Sequence, residues 1–120
     1  MHWGREDQPE PILQQKRLAR ELIDAGCDAV VGTHAHVMQP TAWYRGKLIA
    51  YGLGNFVFSG MTHTELHRTG GMLELDLDPD GGLQARMHTV RIDENGAPRF
   101  VGAPAPLSPP ETPEPAMADR

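Results

Sequence analysis

The 120-residue chain contains one cysteine, Cys27, so no intrachain disulfide can brace it and its redox compartment is left open. It has no cluster of lysine or arginine, and its net charge of −5 argues against nucleic-acid binding through bulk electrostatics. No apolar run approaches the roughly 20 residues of a membrane-spanning helix. No signal peptide precedes the first motif, and no internal repeat is visible. Large apolar side chains are almost missing from the last 18 residues, Ala103–Arg120, which hold six of the eleven prolines and a net charge of −2. Such a segment cannot bury enough surface to offset its ordering entropy. The expectation is therefore one domain over 1–102 and a disordered tail over 103–120, the chain being too short for two cores.

The hydrophobic spacing predicts a helix over Ile12–Ala25, with Leu18, Ala19, Leu22 and Ile23 on one stripe. Pro9 and Pro11 suit its entrance and Gly26 its C-terminal cap. Asp28–Gly32 reads as a short buried strand parallel to a neighbour. Thr41–Arg45 and Lys47–Tyr51 flank Gly46 as a hairpin, and Leu53–Phe58 is a further strand-like stretch. Gly60–Gly70 reads as a surface loop. Met72–Asp78 alternates, placing Leu73, Leu75 and Leu77 on one face, and Pro79–Gly82 turns the chain into a return strand over Leu83–Ile92. A short strand at Arg99–Val101 follows. One main helix and mostly antiparallel strands give an α+β architecture with the helix covering one sheet face.

The chemistry-bearing motif is His34-Ala-His36, directly after the buried strand, where layered α/β proteins place their sites. Residues two apart in extended backbone point to the same side, so both imidazoles can converge on one cation or on two adjacent ones. The same spacing is also met in histidines that only hydrogen-bond at a strand end, and spacing does not separate the two. His2, followed by Gly4 and Glu6, suits a tight ligand-bearing loop; equally, a histidine beside the first methionine can be frayed and bind nothing.

Several blocks occur together in order: His2-Trp-Gly-x-Glu6, Pro11-x-x-x-Gln15, Leu22-Ile-Asp-Ala-Gly26, Val30-Val-Gly-Thr-His-Ala-His-Val37 with Gln39-Pro40, and Tyr51-Gly-Leu-Gly-Asn-Phe-Val-Phe58. Over about residues 2–92 this resembles the C-terminal part of the CapA-type capsule proteins, whose domain belongs to the calcineurin-like metallophosphoesterases. The resemblance implies the C-terminal half of a four-layer α/β/β/α sandwich that holds two divalent metal ions. By position, His2 matches that family's lone histidine ligand, and His34 and His36 match its closing His-x-His. These three are the candidate metal-ligating and catalytic residues, and Mn, Fe or Zn are not distinguished. The aspartates and asparagine of the earlier motifs are expected upstream. Gly54-Asn55-Phe56 is not the family's Asn-His block, because it follows the closing pair and Phe56 cannot bind a metal. A two-metal centre needs a bridging carboxylate to balance roughly four positive charges. Three histidines supply none, so this chain alone is not expected to complete the centre.

The resemblance further implies capsule or poly-γ-glutamate biosynthesis at the cell envelope. The implied partner is an anionic polymer or phosphoester substrate, with membrane association only through a segment upstream. Metal-assisted hydrolysis is the reaction type implied for the complete domain. Three rivals remain: a non-catalytic envelope or polymer-binding module, an inactive gene fragment, and a single-zinc site on His2, His34 and His36 with water. Elsewhere, His63-x-x-x-His67 has the spacing of a helical zinc pair but lacks the adjoining glutamate and sits in loop-like sequence. His88 reads as an ordinary strand residue, and Trp3, Trp43 and Tyr44 as half-buried packing. Arg45 and Arg68 read as solvated charge, and Cys27 as a buried thiol between a helix cap and a strand.

Overall fold

The structure is a computed structural model and describes residues 1–60 and 64–111. Helix α1 spans Leu13–Asp24. Its entrance is held by the Gln15 amide, whose Oε1 accepts from the Ile12 backbone N–H at 3.0 Å. That is the half of a capping box that a glutamine at the third position can make; Ile12 has no hydroxyl to return the bond. The helix ends in a Schellman turn. Gly26, at φ 111°, donates to Ile23 O, and Cys27 N donates to Leu22 O. The side chain of Cys27 therefore falls outside both helix and strand and is exposed, which corrects the reading of it as a buried thiol.

Strand β1 (Ala29–Val31) pairs in parallel with β3 (Lys47–Ala50), and β3 pairs antiparallel with β2 (Thr41–Tyr44), giving the order β1-β3-β2. The helix covers this sheet through Ala19 and Ile23, which meet Val30, Ile49 and Tyr51, with Trp3, Leu22, Ala42 and Tyr44 packed around them. The expected stripe is thus present at Ala19, Leu22 and Ile23, while Leu18 is half-buried outside this cluster and a polar residue one turn before Ala19 is buried instead. Gln15 is 1 % exposed, and its Nε2 donates to Gln39 Oε1 at 2.8 Å, while Gln39 Nε2 donates to Gln8 O at 2.9 Å. Two separated glutamines of the sequence motifs therefore form one buried amide chain tying the loop before the helix to the segment that leads into β2. Replacing Gln15 by alanine leaves Gln39 Oε1 and the Ile12 N–H without these partners. A loss of about 2 kcal/mol or more is expected, to be read from the urea midpoint; a loss below about 0.5 kcal/mol would show that the chain of amides is dispensable.

The second sheet is the antiparallel ladder β4 (Thr69–Leu77), β5 (Leu83–Ile92) and β6 (Pro98–Phe100), with β7 (Ala105–Leu107) also on β5. β6 pairs with residues 90–92 and β7 with residues 85–87 of the same edge. The segment expected to be a disordered tail from Ala103 onward thus contributes a strand. Proline composition hid it: Pro106 sits on an edge, where its missing N–H costs the ladder little. Residues 112–120 lie outside the described residues. Leu73 and Leu75 are half-buried and Leu77 is 63 % exposed, so this face has little covering it. Across β4 and β5, Arg86 and then His88 hydrogen-bond the Glu74 carboxylate and hold it at about 2. His88 is accordingly a strand residue paired with a carboxylate at 2.7 Å.

The expected strand over Leu53–Phe58 reduces to two isolated bridges, Met38↔Leu53 and Gly54↔Gly70. Gly54, at φ 70°, breaks the extended run. This short segment joins the sheets: Leu53 N donates to Gly32 O at 3.2 Å, and Gly71 N donates to Leu53 O at 2.7 Å.

Candidate metal centre

The N-terminal residues lie alongside the end of β1. Met1 O accepts from Thr33 N at 2.8 Å, Trp3 N donates to Thr33 O at 3.1 Å, and His2 bridges to Thr33 in parallel register. Trp3 anchors this stretch, its Nε1 donating to Tyr51 O at 2.8 Å. Two elements distant in sequence thereby arrive at one place, and His2 stands with its ring centroid 4.4 Å from that of His34.

His34 and His36 do not continue the strand as the two-residue alternation assumed. His34 has φ 112° and His36 φ 60°, with the buried Ala35 between them. The rings nevertheless stay on one side, 6.1 Å apart between centroids. Positive φ at two non-glycine residues two positions apart is a costly backbone, of order 1–3 kcal/mol each, and such strain collects at sites where geometry matters. Ala35 O accepts from Asp7 N at 2.9 Å, which draws the 4–8 loop over the turn and brings Glu6 in.

The side chains whose ligand atoms all lie within 4.8 Å of one another are Glu6, His34 and His36, with Glu6 exposed and both histidines half-buried. His2 adjoins this trio through its contact with His34. The sequence had named Glu6 only as a nearby carboxylate; what it could not show was the Asp7–Ala35 hydrogen bond that carries Glu6 to the histidines. The donor set is one carboxylate and two imidazoles, the mixture that borderline divalent ions such as Zn²⁺ accept. It fits one ion. Among these residues there is no second carboxylate to bridge a pair of ions.

A polar network backs the histidines. His36 Nδ1 lies 2.9 Å from Asn55 Oδ1, and Asn55 Nδ2 donates to His67 O at 3.0 Å. His67 is buried, with Nε2 2.5 Å from Asp7 Oδ1 and Nδ1 3.2 Å from Thr64 Oγ1. Both ring nitrogens of His67 are thus engaged by protein groups. Its partner in the sequence motif, His63, lies outside the described residues. Trp3, Trp43 and Tyr44 are half-buried, and Arg45 pairs with Asp24 at 2.8 Å on the surface. Among the described residues, no buried side-chain nitrogen or oxygen lacks a hydrogen-bond partner.

A histidine-rich turn at the end of a parallel strand, beside a glycine-rich segment that joins two sheets, is a place where layered α+β proteins commonly build a ligand site. Residues 1–60, half of the chain, match the sequence profile of the family described as bacterial capsule synthesis protein PGA_cap, and the chain belongs to that family. It is 39 % identical over 94 residues to the PGA biosynthesis protein CapA of Bacillus subtilis, covering 78 % of this chain and 24 % of the relative. It is 46 % identical over 101 residues to the capsule biosynthesis protein CapA of Bacillus anthracis, covering 83 % of this chain and again 24 % of the relative. A probable polyglutamine synthesis accessory protein of Mycobacterium tuberculosis is 42 % identical over 57 residues, 48 % of this chain and 15 % of its own length. The chain thus spans about a quarter of the two CapA proteins it matches, 24 % of each.

Proposed function

We propose that the chain acts in the biosynthesis of a capsule polymer of the poly-γ-glutamate type at the cell envelope, and that it contributes the histidine side of a metal-dependent hydrolase centre. The family and the names of its relatives support the first part. The single observation that carries the second is the convergence of Glu6, His34 and His36 within 4.8 Å. In this reading the two sheets are the C-terminal portion of a calcineurin-like metallophosphoesterase sandwich, and the substrate is an anionic polymer or a phosphoester. Among the described residues, no helix is long and apolar enough to cross a membrane.

Glu6, His34 and His36 hold the ion in this reading, and His2 stands at its edge, within reach of a ligand role in a larger centre. A bound divalent ion supplies Lewis acidity and lowers the pKa of coordinated water. The chain's own residues do the rest. Glu6 brings the negative charge that imidazoles lack, and Asp7 N–H fixes the loop that presents it. The Gln15–Gln39 chain keeps that loop closed over the turn. A two-ion centre requires carboxylates beyond this set, and those belong to the remainder of the domain.

The test is the metal content of the purified chain after dialysis against Mn²⁺ or Zn²⁺, with Glu6→Gln in parallel. One ion per chain is expected, with Glu6→Gln weakening it by at least about tenfold, since even outer partners of a site are worth roughly 10–100-fold. No bound ion in the unmodified chain, or unchanged binding by Glu6→Gln, overturns the reading.

A further inference from the structure

The side chain of Asn55 lies between a site histidine and a backbone carbonyl, and that placement determines a proton position. A backbone carbonyl only accepts hydrogen bonds. His67 O lies 3.0 Å from one terminal atom of the Asn55 amide, so that atom is the NH₂ group. The other terminal atom, Oδ1, therefore faces His36 Nδ1 at 2.9 Å, and an amide oxygen also only accepts. It follows that His36 Nδ1 carries the hydrogen, and that the lone pair of the neutral ring sits on Nε2.

We propose that Asn55 is a positioning residue for His36: it holds the imidazole in the Nδ1–H tautomer and aims Nε2 at the candidate metal site. This rests on the metal-centre reading above and names the atom through which one of its histidines binds. Asn55 does not itself bind the ion; its Oδ1 and Nδ2 are both engaged.

Four features of the surroundings make this a built arrangement. Asn55 is 5 % exposed, so water competes poorly for its amide. A Cβ on Gly70 would lie 1.7 Å from Asn55 O, so the backbone at Asn55 can take this position only because a glycine faces it. The carbonyl that orients the amide belongs to His67, whose ring is pinned by Asp7 and Thr64. Asp7 in turn bonds Ala35 O, next to His36 in the chain. The ring of His36 is further bounded by Phe58, with centroids 5.5 Å apart and the planes near edge-to-face. The hydrogen-bond path from Asp7 through His67 and Asn55 to His36 thus closes on the backbone that carries the histidines. Hydrogen-bond partners of this kind fix the tautomer and orientation of metal-binding histidines generally.

The experiment is ¹⁵N NMR of the histidine side chains in the metal-free chain, at a pH where the ring is neutral, for the unmodified chain and Asn55→Ala. The His36 signals are assigned by their loss in His36→Ala. Zn²⁺ affinity is measured on the first two proteins. The expected result is an Nδ1–H ring at His36 in the unmodified chain, loss of that preference in Asn55→Ala, and a Zn²⁺ affinity lowered roughly 10–100-fold. An Nε2–H ring at His36 in the unmodified chain overturns the proposal without recourse to any variant. An unchanged tautomer or an unchanged affinity in a folded Asn55→Ala overturns it as well. If the unmodified chain binds no Zn²⁺, the metal reading fails on its own account, and the tautomer measurement alone decides the role of Asn55.

Discussion

Gly32→Ala is expected to damage the fold severely. An added Cβ would lie 2.1 Å from Trp3 Nε1 and 2.2 Å from Tyr51 O, directly in the 2.8 Å hydrogen bond between them. Neither partner can step aside cheaply. Tyr51 O belongs to backbone just beyond β3 in the core, and Trp3 packs against the same cluster. The substitution combines overpacking, about 1–3 kcal/mol, with a lost hydrogen bond, about 1 kcal/mol, and partial exposure of a tryptophan. A total of about 2–4 kcal/mol is expected from the first two terms, measured by urea denaturation followed by circular dichroism. The functional consequence arises from position: Trp3 follows His2, and its anchorage keeps His2 beside His34. A midpoint shift equivalent to less than about 1 kcal/mol would mean that the N-terminal stretch is not held as described.

That glycine also marks the limit of what the sequence made legible. The hydrophobic period located α1 to within one residue at each end, since Ala19 and Ile23 must face something apolar and four-residue spacing puts them on one side. The parallel pairing of β1 with β3 was likewise foreshadowed by the apolar run Ala29–Val31. Gln15 was invisible as a core residue, because its burial depends on Gln39 and on the Gln8 carbonyl, none of which is local to it. Strand β7 was missed for the opposite reason: its composition is that of a tail, and only the open half of the β5 edge gives it a partner.

At the site, motif order pointed to His2, His34 and His36, and the structure brings His2 against His34 and leaves His36 one ring further on. It adds Glu6 through a hydrogen bond between backbones 28 residues apart, from Asp7 N to Ala35 O. In the sequence, Gly54-Asn55-Phe56 follows the His-x-His pair and so does not match the family's Asn-His block. The position of Asn55 behind His36 depends on the close approach of Gly70 across the sheets, which no periodicity signals. Single-residue chemistry was therefore readable, while the contacts that aim it were long-range and were not.

The strained turn supplies the second large effect, with opposite signs on binding and on stability. His34 sits at φ 112°, a region that glycine enters freely and other residues enter at a cost of about 1–3 kcal/mol. His34→Gly removes that cost and adds about 0.5–1 kcal/mol of lost backbone entropy on folding. The variant is therefore expected to be more stable than the unmodified chain, by about 1 kcal/mol, when both are compared in chelator so that no bound ion contributes. Divalent-ion binding is expected to fall by about 100-fold or more, because a direct ligand is lost where even an outer partner is worth roughly 10–100-fold. His34→Ala separates the two effects: it loses the same ligand but keeps a Cβ in the strained conformation, so affinity falls equally and stability does not rise. Thermal melts and Zn²⁺ titrations of the three proteins check both signs. Were His34→Gly no more stable than His34→Ala, the turn would be relaxed, and its geometry would not be a conformation held against cost for the sake of the ligand it presents.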